Sequence, residues 1–96
     1  MAVKFRVKRI IHEERRVIVN FYSDAINETE VEVVNGRPLT VVVDVPPEIT
    51  TLAALKALVL SKAPTDDLAR IEDLKVNPPG DLLGPFKQYI GVEVSE

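Results

Sequence analysis

Residues 28–45 read ETEVEVVNGRPLTVVVDV, and the way this stretch folds decides the architecture of the chain. Glu28, Glu30 and Glu32 alternate with Thr29, Val31 and Val33, and further on Leu39, Val41, Val43 and Val45 alternate with Thr40, Val42 and Asp44. Successive side chains of a strand point to opposite faces, so each run predicts a strand with one apolar face. Asn35-Gly36 between them supplies the positive φ angles of a tight hairpin turn. Pro38 falls at a strand start, where a missing N–H costs least. The stretch therefore predicts a hairpin, with Glu28–Val34 paired to Leu39–Val45.

Upstream, the same period recurs with the opposite charge. Lys4, Arg6 and Lys8 alternate with Val3, Phe5 and Val7, which predicts a strand over Val3–Ile11. A second strand follows from Arg16 to Tyr22, after a turn at His12-Glu13-Glu14-Arg15. On it Val17, Val19 and Phe21 face one way, and Arg16, Ile18, Asn20 and Tyr22 the other. Ser23 to Asn27 is then a loop whose Asp and Asn can cap their own backbone. If the basic and acidic runs share a sheet, they meet as cross-strand ion pairs, each worth a few tenths to about 1 kcal/mol.

Downstream, Pro46-Pro47 ends the strand by removing ladder donors. Thr50 or Thr51 caps a helix reaching about Lys62, with Leu52, Leu55, Leu58 and Val59 at helical spacing. A shorter helix from Thr65 to Leu74 begins on Asp66 and Asp67, which suit the positive helix end, and turns Leu68 and Ile71 inward. After the turn at Asn77-Pro78-Pro79-Gly80, Lys87–Val94 predicts a last strand with Ile90, Val92 and Val94 on one face. The expected fold is α+β: a mainly antiparallel sheet of four to five strands with one longer and one short helix packed on one face. It forms a single domain over residues 1–96, with two hairpins in 1–45, a helical segment over 50–74 and a C-terminal strand over 86–94.

Composition narrows the function classes. Ninety-six residues, 46% hydrophobic and 28% charged, suit one globular domain. A net charge of −3 argues against a nucleic-acid binder, which is normally basic. Basic residues nevertheless crowd the start of the chain, and Lys4, Arg6, Lys8, Arg15 and Arg16 form a candidate basic patch. Its simpler account is a solvated face paired with the acidic run. Without cysteine there is no disulfide framework and no thiolate chemistry, which leans towards an intracellular protein or one stabilised by assembly. Abundant valine, few amides and mixed charges fit a thermophilic source. The alternating start is not a signal peptide. The apolar stretch Leu52–Leu60 is broken by Lys56 and far too short to span a membrane.

The residues that could carry chemistry do not assemble into a known pattern. His12 with Glu13 and Glu14 lacks the convergent ligands of a metal site. Asp66, Asp67, Glu72 and Asp73 lack calcium-loop spacing and are explained by helix capping. Ser23, Ser61 and Ser95 have no nucleophile elbow, and the glycines make no phosphate loop. No catalytic, metal or cofactor-binding residue is assigned, and no enzymatic activity or cofactor is expected. Phe5 and Phe21 lie on apolar faces and belong to the core, which leaves Tyr22 a weak stacking platform beside the basic strand. The best partner-binding candidates are Leu82 and Leu83, framed by Gly80 and Gly84-Pro85, with Phe86 and Tyr89 beyond them. Two adjacent leucines in such a loop are hard to bury together, so the loop reads either as an anchor that offers one leucine to another chain or, equally, as a flap over the end of the core.

Two resemblances add to this. Leu39-Thr40-Val41-Val42-Val43-Asp44-Val45, then Pro46, Pro47 and Glu48 before Thr50-Thr51-Leu52, and Leu55-Lys56 with Leu58, resemble the second strand and main helix of ubiquitin-like β-grasp domains. An extra hairpin precedes them and the chain ends Glu93-Val94-Ser95-Glu96 with no diglycine, so conjugation and sulfur transfer are not implied. Lys4-Phe5-Arg6-Val7 and Val17-Ile18-Val19-Asn20-Phe21-Tyr22-Ser23-Asp24 are similar to the start of small proteins from tailed-phage structural gene modules. That likeness implies a virion or assembly component, located in the virion or host cytoplasm. The expected function is a non-enzymatic structural or assembly module whose partners are proteins, itself or other virion components, in a homo- or hetero-oligomer. A β-grasp-like adaptor for a protein partner is the alternative, and a nucleic-acid binder using the basic strand comes third.

Overall fold

The first hairpin forms where the alternation predicts it. In the computed structural model, which describes residues 2–77, 86 and 89–96, β1 (Val3–Ile11) pairs antiparallel with β2 (Arg16–Ser23). Phe5 lies opposite Phe21 and Val7 opposite Val19. Between Val7 and Arg9 the register shifts, so Ile10 lies opposite Val17 and Arg9 opposite Ile18. Each further residue of β1 therefore swaps faces, as a bulge requires. In the turn Arg15 takes a left-handed φ of +49°, costly for a side chain with a Cβ. Its guanidinium offsets part of that cost by donating to the carbonyls of Val45 (3.2 Å), Pro46 and Ile49 (3.3 Å each). Val45 in turn donates its N–H to the Arg15 carbonyl at 2.8 Å, so the turn and the later loop hold each other.

The stretch that decides the fold does not form a hairpin. Glu28–Val34 lies within a helix, α1 (Glu28–Asn35). Its start is fully capped: Asn27 Oδ1 accepts the Glu30 N–H at 2.8 Å, and Glu30 Oε1 accepts the Asn27 N–H at 3.2 Å. Ile26, just before the cap, and Val31, in the fourth helical position, are both buried in one small cluster with Ile71, the apolar staple that fixes how a chain enters a helix. Glu28 and Glu30 sit favourably in the first turn. Gly36, expected to close a hairpin, instead ends the helix at φ +83°. The strand pattern is sacrificed at Val33, which is left 77% exposed.

With α1 in place of a strand, β3 (Leu39–Asp44) pairs antiparallel with β2, and the described residues hold one three-stranded sheet of order β1-β2-β3. This corrects the expectation of four to five strands. The second lost strand is Lys87–Val94, of which Lys87 and Gln88 lie outside the described residues. Tyr89–Gly91 form a turn in which Val92 donates to the Tyr89 carbonyl at 3.0 Å, Gly91 holds φ +74°, and residues 92–96 pair with no strand.

Two helices cover the inner face. Thr51 caps α2 (Leu52–Ser61), its hydroxyl accepting the Ala54 N–H at 3.1 Å. α3 (Thr65–Val76) follows Pro64 and buries Leu68 and Ile71. The main core joins Val17, Val19, Phe21 and Val43 to Val59 and Leu68, with Phe5, Leu55 and Leu58 half-buried around it. The Phe5 and Phe21 rings meet edge to face with centroids 6.1 Å apart. Leu52, expected inward, is the first residue of α2 and is 87% exposed.

Candidate functional site

The outer face of the sheet carries the basic residues, and the structure distributes them over separate tasks. Arg6, Asn20 and Thr40 lie side by side across the three strands. The Thr40 hydroxyl donates to Asn20 Oδ1 at 2.7 Å, and the buried Asn20 amide donates to Glu28 Oε1 at 3.1 Å. Arg6 reaches Glu28 Oε2 at 2.6 Å and Lys8 reaches Oε1 at 3.7 Å. The Asn20 amide first, then Arg6 and Lys8, hold the Glu28 carboxyl below its ordinary range against the opposing effect of partial burial. So the two charge runs do meet, with the acid arriving at a helix N-terminus and not from a neighbouring strand.

Arg16 pairs with Asp44 at 2.8 Å and with Glu14 at 3.0 Å, while Arg15 fastens the loop after β3. Lys4 and Arg9 make no ion pair among the described residues. The candidate basic patch is thus mostly neutralised by local carboxylates and carbonyls. Elsewhere Lys75 pairs with Glu30 and holds its carboxyl low, and the buried Ser23 hydroxyl donates to Glu72 while accepting the Ala25 and Ile26 N–H groups. The first contact ties α3 to α1, and the second ties α3 to the end of β2. Among the described residues no group of three or more His, Cys, Asp or Glu side chains is placed to hold a metal ion, and no helix is long and apolar enough to cross a membrane.

Among the described residues, several surfaces are open, and three of them bear on partner binding. A groove of about 540 Å³ lies at the turn end of the sheet between Ile10, Val17, Val45, Ile49 and Leu55. His12 sits on its rim. A second, of about 460 Å³, runs along the free edge of β3, between Arg37, Leu39 and Val41 on one side and Pro64 and Asp67 on the other. Leu39 and Val41 are only half-buried there, whereas Val19 and Phe21 on the central strand are fully covered. The third is the C-terminal segment. Phe86, Tyr89, Ile90, Val92 and Val94 are all exposed, Ile90 by 80%, and the Phe86 and Tyr89 rings lie against each other with centroids 5.1 Å apart. Of the residues singled out in the sequence for partner binding, Phe86 and Tyr89 are therefore accessible, and Leu82 and Leu83 lie outside the described residues. The β3 edge was missed in the sequence. An edge is recognised only once the number of strands is known, and that number turned on residues 28–35. Comparison of this chain with protein families, curated proteins and solved structures finds no match.

Proposed function

We propose that this chain is a non-enzymatic structural or assembly module that acts through protein–protein contacts, in the setting of a tailed-phage virion or its assembly. One observation carries the reading: an exposed run of apolar and aromatic side chains at Phe86, Tyr89, Ile90, Val92 and Val94, outside both core clusters. A grouped apolar surface of that kind marks an interaction site, and aromatic residues are enriched at interface cores. The basic face supports nucleic-acid binding less well, because Arg6, Lys8 and Arg16 already have carboxylate partners.

Sedimentation velocity over a range of concentrations tests this. The expected result is concentration-dependent association that weakens when Ile90 and Val92 are both changed to Asp. A chain that stays monomeric up to about 1 mM, where a contact worth only ~4 kcal/mol would be visible, overturns self-assembly and favours the adaptor alternative. Oligonucleotide binding that falls steeply with salt would point instead to the basic strand.

A further inference from the structure

We infer that the C-terminal segment Ile90–Glu96 of one copy adds as an antiparallel fourth strand to the free edge of β3 in a second copy, an inference that rests on the assembly reading above. Two unpaired features point to each other. Among the described residues β1 and β3 are both edges of the sheet, but they are guarded differently. β1 carries Lys4, Arg6, Lys8 and Arg9 and a register shift, the devices that keep an edge from pairing. β3 has neither: over Leu39–Asp44 its register with β2 is unbroken and its one charge is Asp44 at the far end. The groove along it leaves room for a chain, floored by the half-buried Leu39 and Val41.

The segment has the matching pattern. Ile90, Val92 and Val94 alternate with Gly91, Glu93 and Ser95, so an extended conformation puts three apolar side chains on one face. Gly91 holds a left-handed φ in the turn, and glycine leaves that conformation for an extended one without steric cost.

Charge selects direction and register. Laid antiparallel with Ile90 opposite Val43, Val92 falls opposite Val41 and Val94 opposite Leu39, which extends the inner face. Glu93 then lies opposite Thr40 and Glu96 opposite Arg37, which makes no ion pair among the described residues, since Asp67 across the groove is paired with Arg70 at 3.8 Å. The parallel alternative on the same faces places Glu93 opposite Val42 and Ser95 opposite Asp44, which sets Glu93 diagonally beside that carboxylate on the same face, and like charges so close are destabilising. Strand addition supplies main-chain hydrogen bonds for affinity, and the alternate side chains supply specificity. Each copy would offer one edge and one strand, a head-to-tail contact that builds rings or filaments.

Cysteine pairing reads this geometry directly, because the chain has no cysteine of its own. Directly opposed residues of an antiparallel pair fall within disulfide reach. Thr40→Cys and Glu93→Cys, made in separate chains and mixed under mild oxidation, should give the 40–93 cross-link well above either like-with-like product. Predominant 40–40 linkage would mean symmetric edge pairing and overturn the inference, as would no linkage in a sample that still associates. So would a double variant that closes the disulfide within a single monomer at high dilution. Val92→Pro, which removes a donor from the added strand, should weaken association about tenfold or more. Arg37→Glu should weaken it about two- to fivefold, with recovery when Glu96→Arg is present in the same chain. Association that persists without 40–93 linkage removes the strand addition alone. Absence of association in the unmodified chain removes the assembly reading itself.

Discussion

Two valine-rich segments separated by three residues take opposite conformations. Glu28–Asn35 is a helix and Leu39–Asp44 is a strand, although both alternate polar and apolar side chains. The difference lies at their ends and in where their apolar residues can go. The first is entered through Ile26-Asn27 with Glu30 three residues on, and left through Gly36; it buries Val31 and turns Val34 towards Ile26 and Ile71. The second starts after Pro38, stops at Pro46 and puts Leu39, Val41 and Val43 on one face at spacing two. A residue pair at spacing three and another at spacing two coexist in E-V-E-V-V, so periodicity alone cannot separate helix from strand over eight residues. Capping and tertiary partners decide.

The largest effect should come from the cores on which the two segments rest. Leu68 is buried in the main cluster with Val43, and Ile71 in the smaller one with Val31. Leu68→Ala and Ile71→Ala should each cost ~2–5 kcal/mol in denaturant unfolding, with Leu68 the larger because its cluster is bigger and its cavity less able to collapse. An equal loss for both would mean the helix cluster and the strand cluster are one core, and the contrast between the segments would lose its basis.

The sequence revealed those parts of the fold whose signals agree with one another. β1, β2, β3, α2 and α3 all stand where alternation, Thr51 and the prolines put them, and the inward set Val17, Val19, Phe21 and Val43 is buried as the period requires. It was misleading where signals conflicted. Asn35-Gly36 is good hairpin chemistry and equally good helix-ending chemistry, because both need a residue at positive φ. The Asn27–Glu30 capping box and the Ile26–Val31 staple were present in the sequence and would have broken the tie. For the proposed interaction surface, the aromatic residues Phe86 and Tyr89 could be picked out from the sequence, and both are exposed. The open β3 edge could not, since it exists only because residues 28–35 left the sheet.

Intermediate effects should appear when the helix loses its start. Asn27→Ala removes the side-chain acceptor for the Glu30 N–H and should cost about 0.5–2 kcal/mol, confined to α1. Native-state hydrogen exchange should show faster opening of the amides of Val31–Asn35 and little change in Val41–Val43. Equal acceleration in both segments would show that α1 and β3 open as one unit and that the cap does not act locally.

The smallest effect tests what ties α1 to the sheet. Glu28 is held by Asn20, Arg6 and Lys8 and titrates below its ordinary value, whereas the facing pair on β3, Asp44 with Arg16, is largely exposed. A carboxyl depressed in the folded state adds stability that is fully present above the unfolded glutamate value of about 4.3, and that stability is lost as pH falls through the lower folded value. Acid should therefore loosen α1 before it loosens β3. Glu28→Gln should flatten that acid slope while costing only a few tenths to about 1 kcal/mol at neutral pH. Reversing Lys4, Arg6 and Lys8 to Glu should reproduce the loss in the unaltered Glu28 background, and more strongly at low salt, because exposed charges are screened over about 10 Å at 0.1 M. If α1 and β3 amides instead lose protection together on acidification, in the unaltered chain and in the Glu28→Gln variant alike, the polar row across the strands is not what seats the helix, and its apolar staple must hold it alone.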